Sequence, residues 1–158
     1  MCDVRYTILN QIGTWLVVVT GWLVVHFFTV MRERQKEIRE LKSRLVERVL
    51  EIEKRSICFH QAQSYSYENG AWLVAEIDRV SKTLSRRPLS SLAVRPEVIK
   101  RFRQSITRRN FDFTSFVPQL SNSELIFAIF AGALDLTEEL EKAYESRYLD
   151  SWWQLFRD

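Results

Sequence analysis

The chain has little of what most catalytic and metal sites are built from: 158 residues hold four glycines, three prolines, two cysteines and two histidines. The glycines do not cluster, so no Gly-rich loop cradles a phosphate or a dinucleotide. Cys58 and His60 stand two apart, and no cysteine or histidine follows them to complete a metal site. One histidine stands alone outside the apolar segment, and no Ser-His-acid set can be assigned around it. The acidic neighbours Glu76/Asp78 and Glu138/Glu139 remain, but adjacent helical residues point about 100° apart and such carboxylates face water. The expectation is a protein that is not an enzyme, with no cofactor, no metal and no small-molecule substrate.

Charge is missing from one stretch entirely. Residues 13–31, GTWLVVVTGWLVVHFFTVM, run for nineteen positions without an acid, lysine or arginine, and Arg32-Glu33-Arg34-Gln35-Lys36 follows at once. As a helix this stretch is about 29 Å long, close to the hydrocarbon thickness of a bilayer. A cleavable signal would carry its basic residues before the run. Here the flank before it is nearly neutral and the flank after it is basic, so the stretch reads as one transmembrane helix. The positive-inside bias then leaves residues 1–12 as a short translocated N-terminus and the remainder in the cytoplasm, the expected location being a bacterial inner membrane. Trp15, Phe27 and Phe28 suit interfacial belts. Gly13, Thr20 and Gly21 make one face locally small, a candidate helix–helix contact in the membrane. His26 is the ionisable side chain of the run and lies six residues from Arg32, near the inner interface. Cys2 and Cys58 fall on opposite sides of the membrane, which argues against a disulfide between them.

The 127 residues after the span suffice for one domain with a modest core. Residues 32–60 read as a helical stalk continuous with the span, and residues 61–158 as a helical domain packing with it. Ile38, Leu41, Leu45, Val49 and Ile52 form an apolar stripe at spacings of three and four. That stripe is either the seam of a short parallel coiled coil between copies or one face of an intramolecular bundle. A strict heptad would break at Arg48. Glu68-Asn69-Gly70 signals a turn, and residues 71–84 are amphipathic through Leu73, Ile77, Val80 and Leu84 with Trp72 beside them. Two prolines and two serines make residues 86–96 a connector. A helix from Pro96 or Glu97 to about Arg109 carries Val98, Phe102 and Ile106 on its apolar face. The loop after it brings Phe111, Phe113 and Phe116 as expected core plugs.

Ser121 to Glu124 has the form of a capping box. The ten residues 125–134, LIFAIFAGAL, are apolar all round, too short to span a bilayer, and so expected to be the central core helix, with Phe130 a core side chain. Residues 135–156 continue as an amphipathic helix, with a possible kink at Gly132. Trp152, Trp153 and Phe156 are many apolar groups for their position and form a candidate partner site.

No strand alternation appears, so the fold class is all-α: a transmembrane helix, a membrane-proximal stalk and a small cytosolic helical bundle. Charge is unevenly spread, with ten Lys/Arg against one acid across residues 79–109 and seven acids against three bases across 135–158. Lys100, Arg101, Arg103, Arg108 and Arg109 form an expected basic surface, better suited to water or membrane lipid than to nucleic acid because its phenylalanines fall at helical core spacing. The arrangement resembles small single-span bacterial membrane proteins, and no motif carries a family name across. Two functions fit: a membrane-anchored interaction or scaffold module that forms a homo-oligomer or recruits a protein partner, and a small defence or toxin-like effector whose gathered spans alter permeability.

Overall fold

A computed structural model describes the backbone of residues 2–148 and the side chains of residues 13–148. Among these residues all regular structure is helical: α1 (Cys2–Gln61), α2 (Tyr67–Ser85), α3 (Pro96–Thr107) and α4 (Glu124–Tyr148), with 3₁₀ turns at Leu89–Leu92 and Phe113–Ser115. The chain divides into two units, Met1–Arg39 and Glu40–Asp158. The division falls inside α1, about twenty residues before the expected stalk–domain boundary at 60/61, because the later turns of α1 are themselves part of the second unit's core.

In the first unit, every residue from 13 to 29 is exposed although nearly all are apolar. The helix is long and apolar enough to cross a membrane. Within it Thr29 donates its hydroxyl to the Val25 carbonyl at 2.9 Å, and the His26 ring stacks on Trp22 with ring centres 5.3 Å apart.

The second unit is built on the other half of α1. Leu45, Val49, Ile52 and Phe59 are buried there, with Lys42 and Ser56 completing a run spaced alternately by three and four residues. This corrects the expected stripe at one position: Ile38, Leu45, Val49 and Ile52 are buried, but Lys42 takes the place of Leu41, which is only half-buried. Two polar residues stand in the buried face. The Lys42 stem packs against the core while its ammonium bonds Glu141 and lies 4.6 Å from the centre of the Tyr144 ring. Ser56 contributes small size; its hydroxyl has no hydrogen-bond partner among the described residues. With Val49 and Ile52 fully buried in the chain's own core, the stripe is one face of an intramolecular packing and is not free to be a seam between copies.

Pairwise contacts give the helix directions. Arg48 meets Glu76 and the Arg55 guanidinium lies 4.1 Å over the Trp72 ring, so α2 runs antiparallel to α1. Lys42 meets Glu141 and Gln61 bonds Ser121, so α4 also runs antiparallel to α1. Arg95 meets Glu139, Arg101 meets Asp135 and Arg109 meets Glu124, so α3 opposes α4. The four segments therefore alternate in direction. One end of the unit gathers Glu40, the α2–α3 connector and the last turn of α4; the other gathers Gln61, the start of α2 and the 110–123 loop.

Local chemistry sets the boundaries. Ser66 caps α2 by accepting the Asn69 amide at 3.3 Å, so the expected turn at residues 68–70 is instead the helix's first turn. Pro96 opens α3. Ser123, rather than Ser121, caps α4 by accepting the Ile126 amide, and Ser121 is free to accept from Gln61. α4 runs through Gly132 as one unbroken helix. A Cβ there would come within 2.7 Å of Ser105 Oγ and 3.4 Å of Phe102 Cα, so glycine lets α3 and α4 approach.

Residues 125–134 are only half a core. Leu125, Ile126, Ile129 and Ala133 are buried, whereas Phe130 is 46% exposed. Phe102 on α3 is the fully buried phenylalanine opposite them. Phe102→Ala is expected to cost about 3–5 kcal/mol and Phe130→Ala less than about 1 kcal/mol in denaturant unfolding of the detergent-solubilised protein. Equal losses would show that the two faces of α4 are not distinguished in this way.

Candidate interaction surface

α4 carries two apolar faces, and no described residue covers one of them. Leu125, Ile126, Ile129, Ala133, Leu136, Leu140 and Tyr144 recur at three and four and are buried. On the opposite side Phe127, Phe130 and Leu134 are 62%, 46% and 58% exposed, with exposed Ala128 and Ala131 between them. The spacing of three and then four puts the large side chains in one ridge along the helix. Further along the same side Glu138, Glu141, Lys142 and Glu145 follow, and the ridge ends in charge.

The expected basic surface is partly cancelled within the chain. Arg101 is bonded to Asp135 at 2.8 Å, Arg109 lies 3.5 Å from Glu124, and Arg95 clamps Glu139 through Nε and Nη2 at 2.7 and 2.6 Å. The Arg95 guanidinium beside Glu139 holds that carboxyl below its usual range. Lys100, Arg103 and Arg108 remain on the solvent side of α3, so the basic face is smaller than the residue count implied. The uneven distribution along the sequence is in good part α3 basic residues meeting α4 acids. The carboxylate neighbours are likewise engaged: Glu76 with Arg79 and Arg48, and Asp78 with Lys82.

Gly13 and Gly21 have open space where a Cβ would stand, and Thr20 is exposed beside them, so no described residue covers that face. Trp152, Trp153 and Phe156 lie outside the described residues. The chain matches no known protein family, no curated protein and no solved structure.

At the far end of the unit an aromatic cluster surrounds His60. Phe59 packs against Tyr65, Phe111 and Phe116, with ring centres 5.3–5.4 Å apart. Of the three expected plugs, Phe111 and Phe116 are only half-buried against Phe59, and Phe113 is 59% exposed and stacks on exposed Tyr67. His60 is fully buried, and its Nε2 lies 3.1 Å from the Ile106 carbonyl, which can only accept. That assigns the ring proton to Nε2 and leaves Nδ1 to face the Asn110 amide at 3.4 Å. Asn110, in the left-handed region at φ 54°, also bonds both backbone groups of Val117 and so fixes the loop. Among the described residues no group of three or more metal-ligating side chains gathers here or elsewhere. The sequence singled out His60 only by its nearness to Cys58; its burial came from tertiary contacts no local pattern reveals.

Burial pushes the His60 pKa below its ordinary value, with backbone hydrogen bonds at Ile106 and Asn110 acting the other way. The folded state thus favours the neutral ring, and the unfolded chain binds the extra proton as pH falls. Stability from this group is fully present above the unfolded value of about 6.5 and is lost below it. Unfolding free energy should fall between pH 7 and pH 5 and do so less steeply in His60→Gln; parallel pH profiles would refute the assignment.

Proposed function

We propose that the protein is a single-pass membrane-anchored scaffold module: residues 13–31 cross the bilayer, the second unit lies in the cytoplasm, and copies associate through the ridge of Phe127, Phe130 and Leu134. The observation that carries this reading is the ridge itself, large apolar side chains exposed in register on a helix whose other face is fully packed. Isolated exposed leucines are ordinary; a ridge of two phenylalanines and a leucine is the kind of surface that marks an interface.

The occupant is a second copy, on grounds of area and concentration. Three side chains of this size offer roughly a few hundred Å², below the ~1,200 Å² at the lower end of stable protein interfaces. A contact so small works between partners already held close, and a shared bilayer supplies that effective concentration to every anchored copy. The apolar segment supports the anchor: side chains exposed over residues 13–29 are unfavourable in water and suited to lipid. The basic residues from Arg32 to Lys36 support a cytoplasmic placement of the second unit.

Phe127→Ser with Leu134→Ser tests the reading. Both side chains are exposed, so folding should change by less than about 1 kcal/mol. Wild-type protein in mild detergent and cross-linked in membranes should give a defined oligomer, the double variant mostly monomer. Oligomers of unchanged size would overturn the ridge contact; a monomeric wild type that co-purifies stoichiometrically with one cytosolic protein would replace self-association by recruitment.

A further inference from the structure

The end of the second unit at which the chain arrives carries cations that no described acid neutralises. Because α2 is antiparallel to α1, with Arg48 against Glu76 and Arg55 against Trp72, its last turn comes level with Glu40. Arg86 and Arg87 follow directly and are exposed. Because α4 is also antiparallel, with Gln61 at Ser121 and Lys42 at Glu141, its last turn reaches the same end and presents exposed Arg147. Arg86, Arg87 and Arg147 are paired with no acid among the described residues, unlike Arg95, Arg101 and Arg109 on α3. The exposed acids Glu40, Glu97 and Glu145 lie at this end too, and with exposed Lys142 beside Arg86, Arg87 and Arg147 the balance of these charges is one basic residue.

The connector that carries the arginine pair is anchored. Leu89 and Leu92 are buried, while Ser90 and Ser91 are exposed between them. The Ser91 hydroxyl bonds the Pro88 carbonyl at 2.7 Å, and Ala93 closes the turn at φ 52°. The arginines are thus displayed from a turn whose leucines are fixed in the core.

We infer that this end of the unit, centred on Arg86, Arg87 and Arg147, is a docking surface for anionic lipid headgroups. The inference rests on the anchor proposed above. Connectivity favours lipid over other polyanions: Glu40 is nine residues after Met31, so whatever course those residues take this end stays within about 30 Å of the end of the apolar segment. Cations held that near an anionic leaflet interact with it directly, and each adds to binding. In sequence, the residues after α4 include Trp152, Trp153, Leu155 and Phe156 between Asp150 and Asp158, an amphipathic aromatic composition of the kind enriched at membrane interfaces. Docking would hold the second unit against the bilayer and present the α4 ridge to neighbouring copies at a fixed height.

The full chain is tested in vesicles of phosphatidylcholine alone and of phosphatidylcholine mixed with phosphatidylglycerol. With Cys2 and Cys58 replaced by serine, a fluorophore is placed through Ser90→Cys at this end or Asn122→Cys at the other, both exposed positions. Quenching by headgroup-nitroxide lipid is then read. Expected is strong quenching at position 90 over position 122 that appears with phosphatidylglycerol, weakens with salt, and falls on the order of tenfold in docked-to-undocked ratio with Arg86→Glu plus Arg87→Glu. A preference for position 90 that is the same in neutral vesicles, or survives charge reversal, reflects the tether alone and overturns the inference. Equal quenching at both positions overturns it as well. Alkaline carbonate separates the two failures: protein stripped from vesicles fails the anchor and this inference with it, whereas retained protein without lipid-dependent quenching fails this inference alone.

Discussion

Burial of one face of α1 between Lys42 and His60 is the constraint on which the rest of the second unit depends. Each large apolar side chain taken from water there is worth about 1.5–3 kcal/mol, and Val49 and Ile52 are completely enclosed. The face is continuous only because two polar residues are accommodated in it. The Lys42 ammonium meets Glu141 and the Tyr144 ring, and that contact fixes the height of α4 against α1. Ser56 is small enough for close approach. Once α2 and α4 are laid antiparallel on this face, the positions of both ends of the unit are set.

Charge is arranged by the packing. α3 is rich in arginine and α4 in glutamate, and their antiparallel pairing brings Arg95, Arg101 and Arg109 to Glu139, Asp135 and Glu124. Such exposed pairs are individually weak. Their consequence is for recognition: they remove cations from the surface, so the remaining basic area is set by geometry more than by the number of arginines. The same packing leaves Phe127, Phe130 and Leu134 outside, since α4 can turn only one side to its neighbours. The exposed ridge on α4 and the arginines Arg86, Arg87 and Arg147, unpaired among the described residues, therefore lie on different parts of the unit.

Much of the architecture was legible in the residues. Helical periodicity picked out Leu73, Ile77, Val80 and Leu84 on α2, and Val98, Phe102 and Ile106 on α3, all of them buried. Pro96 marked the start of α3 because its fixed φ suits a first turn. On α1 the stripe was read correctly at Ile38, Leu45, Val49 and Ile52 and missed at Lys42, because hydropathy cannot see that a lysine stem packs while its ammonium finds an acid 99 residues away. The cap of α4 was misplaced by two residues because Ser121 and Ser123 are equally good caps in isolation, and Gln61 engages one of them.

The sequence by itself determined that the chain is helical and that residues 13–31 form a stretch fit for a bilayer, because hydropathy, propensity and spacing are properties of neighbouring residues. Only the tertiary structure decided which side of 125–134 is core and which is bare. A helix apolar on every side holds no local record of where its partners lie. That choice is made by α3, which turns Phe102 toward α4 and comes close to it at Gly132.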